Sequence, residues 1–396
     1  MNRLKSEQHK TIGILTATRA EYGLLKPVIE KLIVLDTIDV KVIVTGSHLS
    51  PEFGMTVNEI KADKIPVSAS IPILLSSDTP NAISKSMGIA LISFADYFQN
   101  NNLDALIVLG DRYETLAVCI ASFNARIPII HLYGGETTEG AIDEAYRHSI
   151  TKMSSLHFTS TNEYRNRVIQ LGESPDRVYN VGAIGIENAQ NISCMSRNEL
   201  SKSLNFDLQS TFAVVTFHPV TLEDDSSLEQ VNELLHAIDN FSHIRFIFTK
   251  ANSDTHGRII NQKIEDYVKA HKNTIFVDSL GMQRYLSALR YASFAMGNSS
   301  SGLIEVPSFG IPSINIGDRQ KGRLKALSVF DCLPISTSII EAINIVTANE
   351  FKEKAKSAIN PYGDGYTSNK IVKVIIENLF DNTLNLKKKF YNIEIK

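Results

Sequence analysis

Twice along this chain, short runs of β-branched and aliphatic residues end in a small or charged cluster and give way to a helical pattern. In the first half the runs are TIGILTA (11–17), KVIVTG (41–46), ALIVLGD (105–111) and IPIIHLYGG (127–135). Helical patterns cover 21–35, 81–99 and 113–125; in the first, Leu24, Leu25, Val28, Ile29 and Leu32 recur at helical spacing. Alternation of this kind predicts a parallel sheet covered by helices on both faces. The rhythm restarts after about residue 210: TFAVVTFHP (211–219), a helix near 226–239, HIRFIFT (243–249), NTIFVDS (273–279), YASFAMGNSSSG (291–302) and IPSINIGD (311–318).

The stretch 183–210 is polar and weakly patterned, which places a domain junction near 182. A length of 396 residues suits two domains, at roughly 100–200 residues each. The expected division is 1–182 for an N-terminal Rossmann-like domain and 183–375 for a C-terminal one. A charged tail, 376–396, either packs back or lies at the periphery. In open α/β sheets, ligands bind beyond the carboxyl ends of the strands. Functional residues are therefore expected just after each strand, around a cleft between the domains.

Composition removes several classes. A net charge of −3 implies no broad basic surface, so nucleic acid is not an expected partner. No stretch reaches the roughly 20 apolar residues that span a bilayer. The polar start MNRLKSEQHK and the short run after it do not form a secretory signal, so a cytoplasmic globular protein is expected. Cys119, Cys194 and Cys332 show no metal-binding spacing, and no metal is expected. The first strand lacks GxGxxG, so no nicotinamide cofactor is expected.

Five strand-end segments carry candidate chemistry. In TATRAEYG, Arg19 stands where a strand meets a helix, suited to a phosphate or carboxylate, or to capping the loop. In VLGDRYET, Gly110 allows a tight turn before Asp111 and Arg112, and Asp111 is also a good N-cap. The densest stretch, HLYGGETTEGAIDEAYRHSITK, packs His131, Glu136, Glu139, Asp143, Glu144, Arg147 and His148 into 131–152. Asp143 and Arg147 are four apart and share a helix face, though a solvated charged face is the ordinary alternative. His218 closes the strand before HPVT. In AMGNSSSGLIEVPSFG, Ser299, Ser300 and Ser301 enter a helix whose free N–H groups suit a diphosphate; Glu305 one turn on suits a ribose diol. Arg319, Lys321 and Arg323 follow as a further phosphate contact.

Together, ATRAEY, GDRYE, HLYGGE…DEAYRHSITKMS, FHP and GNSSSGLIEVPS…NIGDRQKGR resemble the hydrolysing UDP-N-acetylglucosamine 2-epimerases of sialic acid synthesis, over about 11–375. The nearest look is to the bacterial capsule branch. The resemblance implies a glycosyltransferase-B-like fold with two Rossmann-like domains and an active site in the interdomain cleft. It implies conversion of a UDP-sugar substrate and water to N-acetylmannosamine and UDP, without cofactor or catalytic metal. The implied route is anti elimination to 2-acetamidoglucal, then syn hydration. Asp111, Glu136 and Asp143 resemble the family's carboxylates near the sugar, with Arg147 and His148 orienting them. His218 resembles the second-domain histidine that contacts the nucleotide sugar. Arg19, Arg112, Ser299, Ser300 and Arg319 resemble phosphate-side groups, Glu305 the ribose ligand, and Asn252 a looser match near base or ribose. A homo-oligomer, dimer or tetramer, is implied as well.

One departure stands out: some members carry glutamate two residues after the histidine of this stretch, where this chain has Tyr133. Competing readings are the same reaction on a 2,4-diacetamido-trideoxy sugar nucleotide of the legionaminic acid pathway, a non-hydrolysing 2-epimerase, a glycosyltransferase on the same fold, and a nucleotide-sugar sensor.

Overall fold

The computed structural model describes residues 9–394 except 78, 139–140, 221–225, 252–256 and 364. The chain forms two compact units: 1–136, 143–187 and 363–396 make the first; 137–142 and 188–362 make the second.

The first unit is built on a seven-stranded sheet of β1 (Lys10–Thr16), β2 (Ile38–Thr45), β3 (Val67–Ile71), β4 (Ala105–Leu109), β5 (Ile129–Leu132), β6 (Leu156–Thr159) and β7 (Val178–Asn180). The order is β3-β2-β1-β4-β5-β6-β7, and every pair is parallel. The second unit holds β8 (Phe212–Thr216), β9 (Arg245–Thr249), β10 (Thr274–Val277), β11 (Phe294–Gly297), β12 (Ser313–Ile316) and β13 (Val329–Cys332), in the order β10-β9-β8-β11-β12-β13, again all parallel. Chain order reverses between β1 and β4 in one sheet and between β8 and β11 in the other. These are the two switch points, where the crevice at strand carboxyl ends opens.

The strands explain themselves. ALIVL of β4 is buried along its whole length, as a central parallel strand covered on both faces must be. The predicted runs all contain strands, and the fold class is the expected one. Sequence patterning passed over β3, β6, β7 and β13. VSASI of β3 is part exposed throughout and β7 has three residues, so neither presents a continuous apolar run.

The domain limits differ from those read off the chain. The helix Thr367–Phe380 puts Ile371, Ile375 and Leu379 into the core beside Leu25 and Leu32 of the helix Arg19–Ile33. Residues at that spacing form one stripe, and each buried side chain is stabilising by roughly 1.5–3 kcal/mol. Residues 363–375, placed with the second domain from the pattern, therefore belong to the first unit, and the junction lies at 187 rather than 182. The tail follows that helix. Lys388 Nζ, only partly exposed, donates to Glu173 (2.7 Å) and to the carbonyls of Lys152 and Ser154. Phe390 lies over Gly172, where a Cβ would come within 2.3 Å of its ring.

Candidate active site

In the first unit, three loops leave β1, β4 and β5 at the switch point. Thr18 caps the helix Arg19–Ile33 and forms a reciprocal capping box with Glu21. Arg19, the first helical residue, extends its Nε to Glu59 (3.0 Å). Glu21 is buried: one carboxylate oxygen accepts from the Ala17 and Thr18 N–H groups, at 2.7 and 3.3 Å, and the other has no hydrogen-bond partner. Burial raises its pKa to about 7, against the pull of those N–H groups and of Arg112.

After β4, Gly110 takes a φ of +80°, left-handed backbone that suits glycine. The N-cap of the helix Tyr113–Asn124 is Arg112, with no side-chain cap bond, so Asp111 is not the capping residue that its place in the sequence allowed. Asp111 instead accepts from Arg147 Nε at 2.8 Å and from its Nη2. Arg112 reaches Glu114, which is fully buried, at 3.2 Å. His131 on β5 fixes the same turn from below. A carbonyl can only accept, so its Nε2 carries the hydrogen that Gly110 O receives at 2.8 Å. Its Nδ1 then accepts from the Thr151 hydroxyl at 3.2 Å. Burial lowers the pKa of His131 to about 3, so it is a neutral strut rather than an acid or base near pH 7.

Arg147 organises the carboxylates. It lies on the helix Asp143–Met153 and is 1% exposed. Besides Asp111, its Nη1 donates to Glu136 O and to Glu144 Oε2, both at 2.8 Å. Burial works against its charge, but Asp111, Glu136 and Glu144 outweigh burial and raise its pKa. Glu136, 3% exposed, accepts from the Ser160 hydroxyl at 3.0 Å. His148 Nε2 meets Glu144 Oε1 at 3.1 Å, and its buried Nδ1 has no hydrogen-bond partner. Asp143 opens the helix as its first residue. Tyr133, at the position where some members of the family carry glutamate, has a φ of +68° and its hydroxyl accepts the Ile184 N–H at 2.7 Å. It is a cap for the helix Ile184–Asn191.

The second unit repeats the placement with other chemistry. Gly297 takes a φ of +134°, and a Cβ there would fall 1.9 Å from Thr216 O. That closeness brings the ends of β8 and β11 together. The Asn298 side chain then clamps the backbone of His218, accepting its N–H and donating to its carbonyl, each at 2.7 Å. Asn298 O accepts from Gln320 Nε2 (2.8 Å) and Arg319 Nη1 (3.2 Å). Ser299 and Ser300 are part exposed and precede a helix of four residues, Ser301–Ile304. A single turn carries little of the dipole expected of a longer helix. Hydroxyls, local N–H groups and Arg319 are thus the donors that this segment offers. Glu305 is the C-cap of that turn, and its charge adds to burial in raising the pKa of Tyr285, whose hydroxyl lies 2.6 Å from Ser301 Oγ. Arg323 Nε donates to Thr137 O at 3.2 Å. Asn252 lies outside the described residues.

The structure thus gathers Asp111, Glu136, Arg147 and His148 in one unit, and His218, Ser299, Ser300 and Arg319 along adjoining loops in the other. Sequence reading missed Glu114, Ser160 and Gln320 as members of these networks, and Asn298 as the organiser of the one in the second unit. Ser160 follows β6 and so shares the strand-end signal, but β6 itself was not recognised.

Two parallel α/β units with polar loops at their switch points define a fold of the glycosyltransferase-B-like kind. A family model described as UDP-N-acetylglucosamine 2-epimerase matches residues 32–376, and the chain belongs to that family. It is 40% identical to polysialic acid biosynthesis protein P7 of Escherichia coli, over 97% of this chain and 98% of that one. It is 39% identical to a Campylobacter jejuni protein named GDP/UDP-N,N'-diacetylbacillosamine 2-epimerase (hydrolyzing), over 97% of this chain and 99% of that one. Its fold matches the crystal structure of UDP-GlcNAc 2-epimerase from Neisseria meningitidis bound to UDP-GlcNAc with a TM-score of 0.80, at 20% identity, covering 93% of this chain and all of that one. Among the described residues no helix is long and apolar enough to cross a membrane.

Proposed function

We propose that this chain is a hydrolysing 2-epimerase that converts UDP-N-acetylglucosamine and water to N-acetylmannosamine and UDP, in the cytoplasm and without metal or nicotinamide. The observation that carries this reading is the buried Arg147, which holds Asp111 and Glu144 beside Glu136 at the switch point of the first unit. Loss of UDP breaks the C1–O bond and removes the C2 proton, and a weakly acidic C–H needs a positioned carboxylate. Asp111, Glu136 and Asp143 are the candidates. Hydration of the glucal then adds water oxygen at C1 and a proton at C2, with inverted configuration. His148, held at Nε2 by Glu144, is the imidazole of this cluster that would take the proton of that water. The leaving diphosphate needs donors, which His218, Ser299, Ser300 and Arg319 supply, with Arg19 and Arg112 on the first unit and Glu305 toward the ribose.

The Campylobacter jejuni relative favours a second reading, the same reaction on a UDP-2,4-diacetamido-2,4,6-trideoxy sugar. The two donors differ only at C4 and C6. Each is to be incubated with the protein in D2O and followed by proton NMR. Free N-acetylmannosamine deuterated at C2, plus UDP, is the expected result; turnover of the diacetamido donor alone transfers the assignment to the second reading. UDP-N-acetylmannosamine as product, or turnover of neither donor, overturns both. Asp111→Asn and Glu136→Gln are each expected to lower turnover by about 10²-fold or more while UDP still binds.

A further inference from the structure

Asn298 is fully buried, and its side chain continues the pairing of β8 with β11 past the last strand residues. Its own N–H donates to Thr216 O at 3.2 Å, and its amide then supplies one acceptor and one donor to the next available residue on the other side, His218. The orientation of the amide is settled by its partners: only oxygen can receive the His218 N–H, and only NH2 can serve the His218 carbonyl. On the other side its carbonyl is shared by Arg319 and Gln320. Asn298 is followed at once by Ser299 and Ser300. One neutral residue therefore joins three loops that carry His218, the serines and Arg319.

We infer that Asn298 is a positioning residue for nucleotide binding: it touches no substrate itself, and it sets the relative places of His218 and Arg319. This rests on the functional reading above, in which those two groups contact the UDP moiety. Asparagine suits the task because both arms of its amide are neutral. An aspartate would present a second acceptor to the His218 carbonyl and bury a charge. An alanine would remove the hydrogen bonds that Asn298 gives to the buried N–H and C=O of His218.

The test uses the full chain, with UDP as the calorimetric probe and amide hydrogen exchange by NMR on the ligand-free protein. Asn298→Ala is expected to weaken UDP binding by about tenfold and to speed exchange of the His218 amide. Combined with His218→Ala, it is expected to cost less than the sum of the two single losses, because part of its effect passes through the imidazole. Asn298→Ser keeps one uncharged hydrogen-bonding group toward His218, is expected to fall between wild type and alanine, and serves if the alanine variant does not fold. Unchanged UDP affinity, strictly additive losses or an unchanged His218 exchange rate overturns the inference and leaves the proposed activity standing. A wild-type protein that does not bind UDP overturns both.

Discussion

At the switch point of the first sheet, side chains are held in place by charge; at that of the second, by amides and hydroxyls. Arg147, with Asp111 and Glu144, and the Arg112–Glu114 pair are ionic and largely shielded from water. Asn298, Gln320, Tyr285 and Ser301 are neutral. Under the proposed function, the difference matches what each unit would hold. Carboxylates that handle a proton must be kept apart yet compensated, which in a poorly solvated place takes a buried cation. A loop that receives a diphosphate gains from dipoles and a few cations, and a carboxylate there would repel the guest. Ionic contacts are expected to make the first site depend on pH, whereas the amide and hydroxyl contacts of the second should add little pH dependence of their own.

The largest test of that contrast is Arg147→Met. Removing this buried counter-ion takes its ion pairs from Asp111 and Glu144, at an expected cost of about 3–5 kcal/mol in urea unfolding, together with loss of turnover. A variant as stable as wild type would mean that water, not Arg147, compensates the cluster.

Next comes pH. The Glu21 pKa is raised from 4.5 to about 7, chiefly by burial, with Arg112 and Glu114 facing it. Native protein then holds a proton between those values that unfolded chain has released, so stability from this group falls as pH rises from about 4.5 to about 7. The full difference is about 3 kcal/mol. Glu21→Gln should flatten the pH dependence of the urea midpoint between those limits; an unchanged slope would show that Glu21 titrates normally.

The smallest effect is expected in the neutral unit. Tyr285→Phe removes the hydroxyl that meets Ser301 and should cost about 1 kcal/mol, equally at acid and alkaline pH. A pH-dependent cost there would break the contrast between the units.

Much of this was legible in the chain. Apolar runs ending in ATR, GDR, HLYGG, FHP and GNSSS marked both sheets and put candidates at strand ends, because parallel strands buried on both faces leave an unmistakable pattern. Ile371, Ile375 and Leu379 fall at helical spacing, which does not say which sheet they cover. Asp111 and Arg147 are 36 residues apart, and the motif alone offered Asp111 a capping role that the turn gives to Arg112. Likewise Asn298 and His218, 80 residues apart, became one unit only where Gly297 let β8 and β11 close together.

The sequence by itself determined that there are two parallel α/β sheets and which loops carry polar chemistry, since periodicity and composition act locally. Only the tertiary structure decided who holds whom: Arg147 among the carboxylates, His131 as a neutral strut under Gly110, Tyr133 as a helix cap, and the last helix in the first unit. Those choices depend on burial, which no residue possesses until its neighbours arrive.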